Sequence, residues 1–242
     1  MASFLMIHGS WHGGWCFDRL RAPIEAAGHR MIAPDLPGMG GDARALAAAT
    51  LDAWADFAVD EARKLAGPVI LCGHSRGGIV ISQAAERDPS AFAALVYIAA
   101  MLAPDGRSFR DVLGAHGDAV FEGGLTPVAN GLGVKLSPAS AIPAFYNLCS
   151  DEDQRVSAAR LVAEPVRPLV TPVQITAERF GTVPRHYIEC TQDRTIPVDL
   201  QRAMQAELPC ESVKTLESDH SPFICMPDRL AAAMIEIAER IE

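Results

Sequence analysis

Basic residues are scarce in this chain, where 21 Lys and Arg stand against 30 Asp and Glu for a formal net charge of −9. Without a basic excess there is no positive surface to neutralise phosphates or to attract anionic lipids. The composition therefore argues against nucleic acid and membranes as partners. The opening residues, Met1–Ile7, carry no basic leader, and their apolar run is too short for a secretory signal. We predict a cytoplasmic protein.

Cysteines at metal or redox spacing are also missing. The sequence has no C-x-x-C motif and no His/Cys cluster at ligand spacing. Thiols in a cytoplasmic protein are normally kept reduced, and a buried thiol behaves as a small apolar side chain. We therefore predict no metal site and no disulfide among the six cysteines, which are Cys16, Cys72, Cys149, Cys190, Cys210 and Cys225.

Short apolar segments alternate with helical patterns towards both ends of the 242-residue chain. This alternation is typical of parallel strands joined by crossover helices, and it predicts an α/β fold. In the middle, glycines, prolines and short helical pieces replace the alternation. We predict a core from residues 1–103 and 183–242 and an inserted cap from residues 104–182. The predicted strands are Phe4–Ile7, Met31–Ala33, Val69–Cys72, Phe92–Ala99, Arg185–Cys190 and Ser212–Leu216, and the main predicted helices are Trp15–Ala27, Leu51–Leu65, Gly77–Arg87, Val198–Glu207 and Pro227–Ile241.

The segment Gly73-His74-Ser75-Arg76-Gly77 matches the pattern G-x-S-x-G. A predicted buried strand leads into it and a predicted helix leads out. In that setting the serine sits on a sharp turn, and the flanking glycines let strand and helix approach closely. The pattern G-x-S-x-G alone is weak evidence. The prediction that Ser75 is a nucleophile rests on the strand before the pattern and the helix after it.

A serine hydroxyl is a weak nucleophile at neutral pH and needs an adjacent base. In proteins with this kind of turn, the acid and then the histidine follow the nucleophile along the chain. His220 comes directly after the last predicted strand and is our predicted base. The alternative is a surface histidine that caps the next helix. We expect His8 and His12 to make fixed hydrogen bonds near the site, and His74 to point elsewhere.

The acid that orients the base is expected in the loop after the penultimate strand. Asp193 lies in that loop and is our predicted acid, with a surface turn as the alternative. Asp219 is the nearest rival, but a residue adjacent to the histidine seldom turns back to meet its ring. Asp199 fits the start of a helix instead.

Cleavage of an ester develops negative charge on the carbonyl oxygen, so backbone N–H groups must already point at that position. The residue after the nucleophile, Arg76, supplies one amide. The loop after the first strand supplies the second, and we predict Ser10. The alternative for this loop is a plain turn.

Further motifs run along nearly the whole chain. They are His8-Gly-Ser-Trp-His-Gly-Gly-Trp15, Glu25-Ala-Ala-Gly-His29, Gly73-His-Ser75, Tyr146-Asn-Leu-Cys-Ser150, Glu178-Arg-Phe-Gly181, Tyr187-Ile-Glu-Cys-Thr-Gln-Asp193, Ile196-Pro197 and Asp219-His220. Through these motifs the sequence resembles the plant methylesterase and hydroxynitrile lyase family of α/β-hydrolases. The resemblance implies an α/β-hydrolase fold, with a mostly parallel sheet of about six strands flanked by helices, a small cap over the serine and no cofactor.

The resemblance also separates two activities. Hydroxynitrile lyases of this type have a threonine at the position of Gly9 and a lysine directly after the catalytic histidine, where this chain has Ser221. Cyanide elimination needs that positive charge, so its absence favours ester hydrolysis. Arg76 departs from the small or apolar residue that the plant esterases carry, and most of the cap aligns poorly, which leaves the pocket undefined. Gly9 and Ser221 are candidate substrate-binding residues. So are four aromatic residues, although aromatic residues in this fold more often belong to the core than to the pocket: Trp11, Phe121, Phe145 and Phe223.

The predicted function is hydrolysis of a small carboxylic ester through Ser75, His220 and Asp193, with an acyl-enzyme intermediate. Two other kinds of function stay open. One is lactone hydrolysis or hydroxynitrile cleavage on the same triad, and the other is non-catalytic binding of a small ligand. Related folds often dimerise, so a homodimer is a further option, although the sequence shows no interface signal.

Overall fold

Six parallel strands form the central sheet of the protein. The computed structural model describes residues 1–241, and the sheet follows the order β2-β1-β3-β4-β8-β9 with every neighbouring pair parallel. This confirms the predicted fold class. The strands in chain order are β1 (Ser3–Ile7), β2 (Arg30–Ile32), β3 (Val69–His74), β4 (Ala94–Ile98), β5 (Leu125–Val128), β6 (Gly133–Leu136), β7 (Glu164–Pro165), β8 (Arg185–Cys190) and β9 (Ser212–Leu216).

Helices cover the sheet, as crossover connections between parallel strands require. In chain order they are α1 (Asp18–Ala26), α2 (Ala43–Ala48), α3 (Leu51–Ala62), α4 (Gly77–Arg87), α5 (Phe109–Val120), α6 (Pro138–Phe145), α7 (Asp151–Ala159), α8 (Val166–Val170), α9 (Val198–Glu207), α10 (Pro222–Cys225) and α11 (Pro227–Ala238). Helix α3 shows why they form where they do. The Thr50 hydroxyl caps its first turn by accepting from the Ala53 amide at 3.0 Å. Its apolar stripe, which includes Trp54 and Ala58, is buried where α3 packs on α4.

Residues 104–182, which we call the cap segment, lie between β4 and β8 and hold α5 to α8. They also hold a three-stranded antiparallel sheet in the order β5-β6-β7. The sequence pattern predicts only short helical pieces here, so this sheet is a correction to the prediction. Its strands have two to four residues, and Pro127 interrupts the first of them. Strands this short are set by their partners, so they leave no alternating pattern to recognise.

Several strand and helix ends differ from their predicted bounds by one to three residues. The predicted helix Trp15–Ala27 begins as a 3₁₀ turn over Gly14–Phe17, and only then becomes α1. The last helix stops at Ala238 instead of Ile241. Gly28 follows α1 with φ +84°, the left-handed conformation typical of a glycine that ends a helix.

The structure also bears on the predicted state of the cysteines and on membrane association. All six cysteines are free, and Cys72 and Cys190 are buried in β3 and β8 as predicted. Within residues 1–241, no helix combines the length and the apolar character needed to cross a bilayer. The cytoplasmic location and the homodimer stay predictions.

Candidate active site

Ser75 lies on the turn between β3 and α4, at the carboxyl edge of the sheet. Its φ is +53°, a strained conformation that fits the predicted sharp turn, and it persists because neighbouring strands hold the turn. The Ser75 carbonyl accepts from the amides of Gly78 and Met101, both at 3.0 Å. A side chain at Gly77 would place its Cβ 2.5 Å from the Ile7 carbonyl oxygen, so only glycine lets α4 start this close to β1.

The ring of His220 is fixed by Asp193. Nδ1 of His220 lies 2.7 Å from Oδ2 of Asp193, and both side chains are buried. The other carboxylate oxygen of Asp193 accepts from the amides of Thr195 and Ile196 at 2.7 and 2.9 Å. The carboxylate is thereby aimed at the imidazole, which donates from Nδ1 and keeps Nε2 as an acceptor.

His74 holds the backbone of His220 next to the serine turn. Its Nε2 donates to the His220 carbonyl at 2.8 Å, and the two ring centroids are 4.7 Å apart. Burial, followed by the positive charge that His220 can carry, holds the pKa of His74 well below its usual range. Our expectation that His74 points away from the site is therefore wrong, because its fixed neutral ring packs against the predicted base.

No hydrogen bond within 3.5 Å joins the Ser75 hydroxyl to His220 in the part of the chain that the structure describes. In enzymes without bound substrate this contact is often long, and it shortens when the substrate is in place.

Asp219 is directed away from the His220 ring. Its Oδ2 accepts from the Leu148 amide at 2.8 Å, and its Oδ1 accepts from the Ser221 amide at 2.9 Å. The thiols of Cys149 and Cys225 also lie 3.5 and 3.2 Å from its oxygens. Asp219 thus stabilises the loop that contains His220. The carboxylate that bonds to the His220 ring is that of Asp193.

Within residues 1–241, one group of side chains is placed to hold a metal ion: the ligand atoms of Cys149, Asp219 and Cys225 lie within 4.8 Å of one another. No local pattern predicts this group, because Cys149 and Asp219 are 70 residues apart in the chain. It does not fit a structural zinc site well, since such sites have four ligands and need thiolates. Hydrogen bonding between the two thiols lowers the pKa of Cys225 and, together with burial, raises the pKa of Cys149, which therefore stays a thiol. The group is better explained by its hydrogen bonds to the Asp219 carboxylate.

The amides of Ser10 and Arg76 are available for an anion. Across residues 1–241, neither amide donates a hydrogen bond to another protein group. Arg76 stands at the N-terminus of α4, where the helix dipole adds positive potential. Two unpaired N–H groups near the serine are what stabilisation of an oxyanion requires.

Two neutral histidines fix the loop that contains Ser10. His12 donates from Nδ1 to the Ser10 carbonyl at 2.8 Å and accepts from the Tyr146 hydroxyl at 2.7 Å. His8 bonds the Gly9 carbonyl at 2.9 Å. Burial is the main cause that lowers the pKa of His8 to about 3 and that of His12 to about 4. Both keep one donor and one acceptor nitrogen at neutral pH, which confirms their predicted fixed hydrogen bonds.

A mainly apolar cavity of about 330 Å³ opens between the Ser10 loop and the cap segment. Two of the four predicted aromatic residues, Trp11 and Phe121, line it. Phe145 is not part of the lining, but it packs against Trp11, Phe121 and His220 with ring centroids 5.9, 5.8 and 5.5 Å away. The other apolar residues of the lining are Phe109, Leu113, Leu125, Pro127, Val134, Val166, Leu169 and Val170.

Three other predicted substrate residues lie outside this cavity. Phe223 is fully buried and packs edge-on against His74 and Phe17, with centroids 4.7 and 5.2 Å apart, so it belongs to the core beneath His220. Ser221 is fully buried as well, and its hydroxyl has no partner in residues 1–241. Gly9 lies against the serine turn, where an added Cβ would be 2.8 Å from the Cβ of Ser75.

This chain is similar to alpha/beta hydrolases of known sequence over nearly its full length. The sequence pattern of the alpha/beta hydrolase family matches residues 4–233. Salicylic acid-binding protein 2 of Nicotiana tabacum is 31% identical over 98% of this chain and 97% of its own. Methylesterase 7 of Arabidopsis thaliana is 32% identical over 98% of this chain and 96% of its own.

A solved structure supports the same relationship. The pyrethroid hydrolase of Sphingobium faniae JZ-2 superposes with a TM-score of 0.86 at 28% identity, over 99% of this chain and 98% of that one. The family pattern, the relatives and the parallel sheet therefore lead to one assignment. The chain belongs to the alpha/beta hydrolase family, and it is a hydrolase related along almost its whole length to the methylesterases.

Proposed function

We propose that the protein hydrolyses carboxylic esters through an acyl-enzyme formed on Ser75. The observation that carries the proposal is the buried 2.7 Å bond between His220 and Asp193, beside a serine on a strained turn. Nε2 of His220 takes the proton of the Ser75 hydroxyl as its oxygen attacks the ester carbonyl. The alcohol then leaves with that proton, and a water activated by the same nitrogen releases the acid.

The amides of Ser10 and Arg76 stabilise the negative charge that develops on the carbonyl oxygen. Both are unpaired in residues 1–241, so they need not break a protein hydrogen bond when that charge forms. Loss of one such donor typically costs ~10²- to 10³-fold in rate. The positive end of α4 supports the same oxygen.

The cavity supports an ester with a hydrophobic acid or alcohol group. Its walls are mainly apolar, and about 330 Å³ accommodates a small organic group. The cap segment supplies most of these walls, so we propose that residues 104–182 act as the cap over the serine. The named methylesterase and pyrethroid hydrolase relatives are consistent with such a substrate.

The test is turnover and labelling of the serine. Wild-type protein should hydrolyse p-nitrophenyl acetate and butyrate and should react with one equivalent of a fluorophosphonate. Ser75→Ala should lose both, whereas Ser90→Ala, which changes an exposed serine in the turn after α4, should keep both. Undiminished hydrolysis by Ser75→Ala would refute the proposal. Labelling without steady turnover would favour the non-catalytic ligand-binding alternative.

Hydroxynitrile cleavage is disfavoured by the surroundings of Gly9 and Ser221. The threonine expected in a lyase at position 9 would press its Cβ to 2.8 Å from Ser75 and 2.9 Å from Nδ1 of His74. Position 221 carries a buried, uncharged serine, so the cation that cyanide elimination needs is absent at that position. Assays of mandelonitrile and of short lactones beside the esters separate these alternatives.

A further inference from the structure

The side chain of Arg76 forms a buried ion pair with the cap segment. Its Nε lies 2.8 Å from Oε1 of Glu164 in β7, and both side chains are fully buried. The guanidinium also stacks 4.3 Å from the ring centroid of Trp54. Removing two charges from water is costly, and an apolar pair often stabilises a core as well or better. Stability alone therefore does not account for this pair.

Both members of the pair also hold the loop that contains Ser10. Nη2 of Arg76 donates to the Gly9 carbonyl at 3.0 Å. Oε2 of Glu164 accepts from the Trp11 amide at 2.9 Å. The residues on either side of Ser10 are thus fixed by one ion pair, and the direction of the Ser10 amide depends on both contacts.

The cap segment makes two more hydrogen bonds to Trp11. The Trp11 carbonyl accepts from the Val162 amide at 2.9 Å, and its indole Nε1 donates to the Val134 carbonyl at 3.0 Å. Trp11 has φ +59°, a conformation that a bulky residue adopts only when its surroundings impose it. With the Glu164 contact, the backbone N–H, the carbonyl and the indole N–H of Trp11 all bond to the cap segment.

We propose that Arg76 and Glu164 are positioning residues that set the oxyanion hole and make its geometry depend on the seating of the cap segment. This inference rests on the proposed ester hydrolysis. One residue then has two separate tasks, since the Arg76 amide faces the substrate while its guanidinium holds the opposite side of the hole. Neither side chain touches the substrate.

Two double variants test this inference because both remove the two buried charges. Arg76→Met/Glu164→Gln keeps a side-chain oxygen that can accept from the Trp11 amide. Arg76→Met/Glu164→Met has no acceptor there. Each variant is measured for kcat and KM with p-nitrophenyl butyrate, with active sites counted by fluorophosphonate labelling and folding checked by thermal unfolding.

We expect kcat per titrated site to fall about 10²-fold or more in Arg76→Met/Glu164→Met, the range for loss of one oxyanion donor. The Gln version should retain at least about tenfold more of that kcat, and KM should change less than kcat in both, because an oxyanion contact acts in the transition state. As a matched control, Arg202→Met/Glu189→Gln removes an ion pair of 2.8 Å between α9 and β8 and should leave kcat unchanged.

Two outcomes distinguish failure of the positioning role from failure of the proposed ester hydrolysis. If wild type turns over esters and Ser75→Ala does not, but both double variants fold and keep kcat within about threefold of wild type, the positioning role is refuted and ester hydrolysis stands. If wild type neither turns over esters nor labels at Ser75, both proposals fall together.

Discussion

Every residue of β1, β3 and β4 is buried, whereas β5 in the cap segment exposes three of its four residues. The central strands pack between two layers of helices, and the cap strands depend on a few short pairings. The difference corresponds to a division of tasks. Ser75, Asp193 and His220 follow the carboxyl ends of β3, β8 and β9, as sites in open α/β sheets commonly do. The cap segment supplies most of the cavity wall.

The Ser10 loop belongs to both regions. It follows β1 of the central sheet, yet Trp11 bonds to Val134, Val162 and Glu164 of the cap segment. Substitutions in the core should therefore act on the chemical step, and those in the cavity wall should act on substrate binding. Substitutions of the cap residues that bond to the Ser10 loop should also act on the chemical step, although these residues lie outside the core.

The largest expected effect comes from substitution of Asp193, the carboxylate that bonds to His220. Asp193→Asn should lower kcat ~10⁴-fold, because the amide no longer favours the His220 tautomer that donates from Nδ1. Folding should survive, since the amide oxygen can still accept from the Thr195 and Ile196 backbone. Steady-state kinetics with p-nitrophenyl butyrate measure the change. Asp199→Asn in the first turn of α9 is the control, and equal rates for the two variants would contradict the assignment.

Acid should unfold the protein through the buried histidines of the core. Folding lowers the pKa of His8 to about 3 and that of His12 to about 4, from an ordinary value of 6.5, and it also lowers that of His74. The unfolded chain therefore binds more protons below pH 6.5. The contribution of each histidine to stability is complete above that pH and is lost as the pH falls towards 4. The loss is at most about 1.4 kcal/mol per pH unit for each residue.

Urea unfolding at pH 7.5, 6 and 5 measures this dependence. The slope of the free energy of unfolding against pH should be smaller in His12→Gln than in wild type, since one of these three buried histidines is gone. The slope should be unchanged in Val156→Ala, which alters an exposed residue of α7 that does not titrate. A free energy of unfolding that stays constant from pH 7.5 to 5 would contradict the argument.

The smallest expected effect is confined to the cavity. Leu169→Trp should partly fill it and should raise KM for p-nitrophenyl octanoate about tenfold, because the displaced acyl chain loses burial worth about 0.8 kcal/mol per methylene. KM for the acetate should change less than threefold. Val156→Trp, on an exposed position of α7, is the control. A similar rise for both esters would place substrate outside this cavity.

Prediction from sequence was most accurate where an element is long or its motif is local. The strands Arg185–Cys190 and Ser212–Leu216 and the helices Gly77–Arg87 and Val198–Glu207 have the predicted bounds. They are bounded by glycines, prolines and polar turns, and β8 and α4 are in addition almost fully buried in a large core. The cap sheet was missed because its short strands gain their stability from each other.

Site residues divide in the same way. The motif around Ser75 and the order of elements along the chain led to His220 and Asp193, which the structure brings within 2.7 Å of each other. The tie of His74 to the His220 carbonyl was missed, since it spans 146 residues. Glu164 was not a candidate at all. Nothing in its local sequence differs from a surface glutamate, although it is fully buried.

The sequence alone determined the α/β class, the serine turn and the family, because these follow from periodicity, glycine spacing and motifs that neighbouring residues define. Only the tertiary structure decided that the Arg76 side chain turns inward to meet Glu164, and that Trp11 is held by the cap segment. Partners of a buried charge are chosen by proximity in the folded chain. That proximity depends on how the helices and strands pack, which no local pattern records.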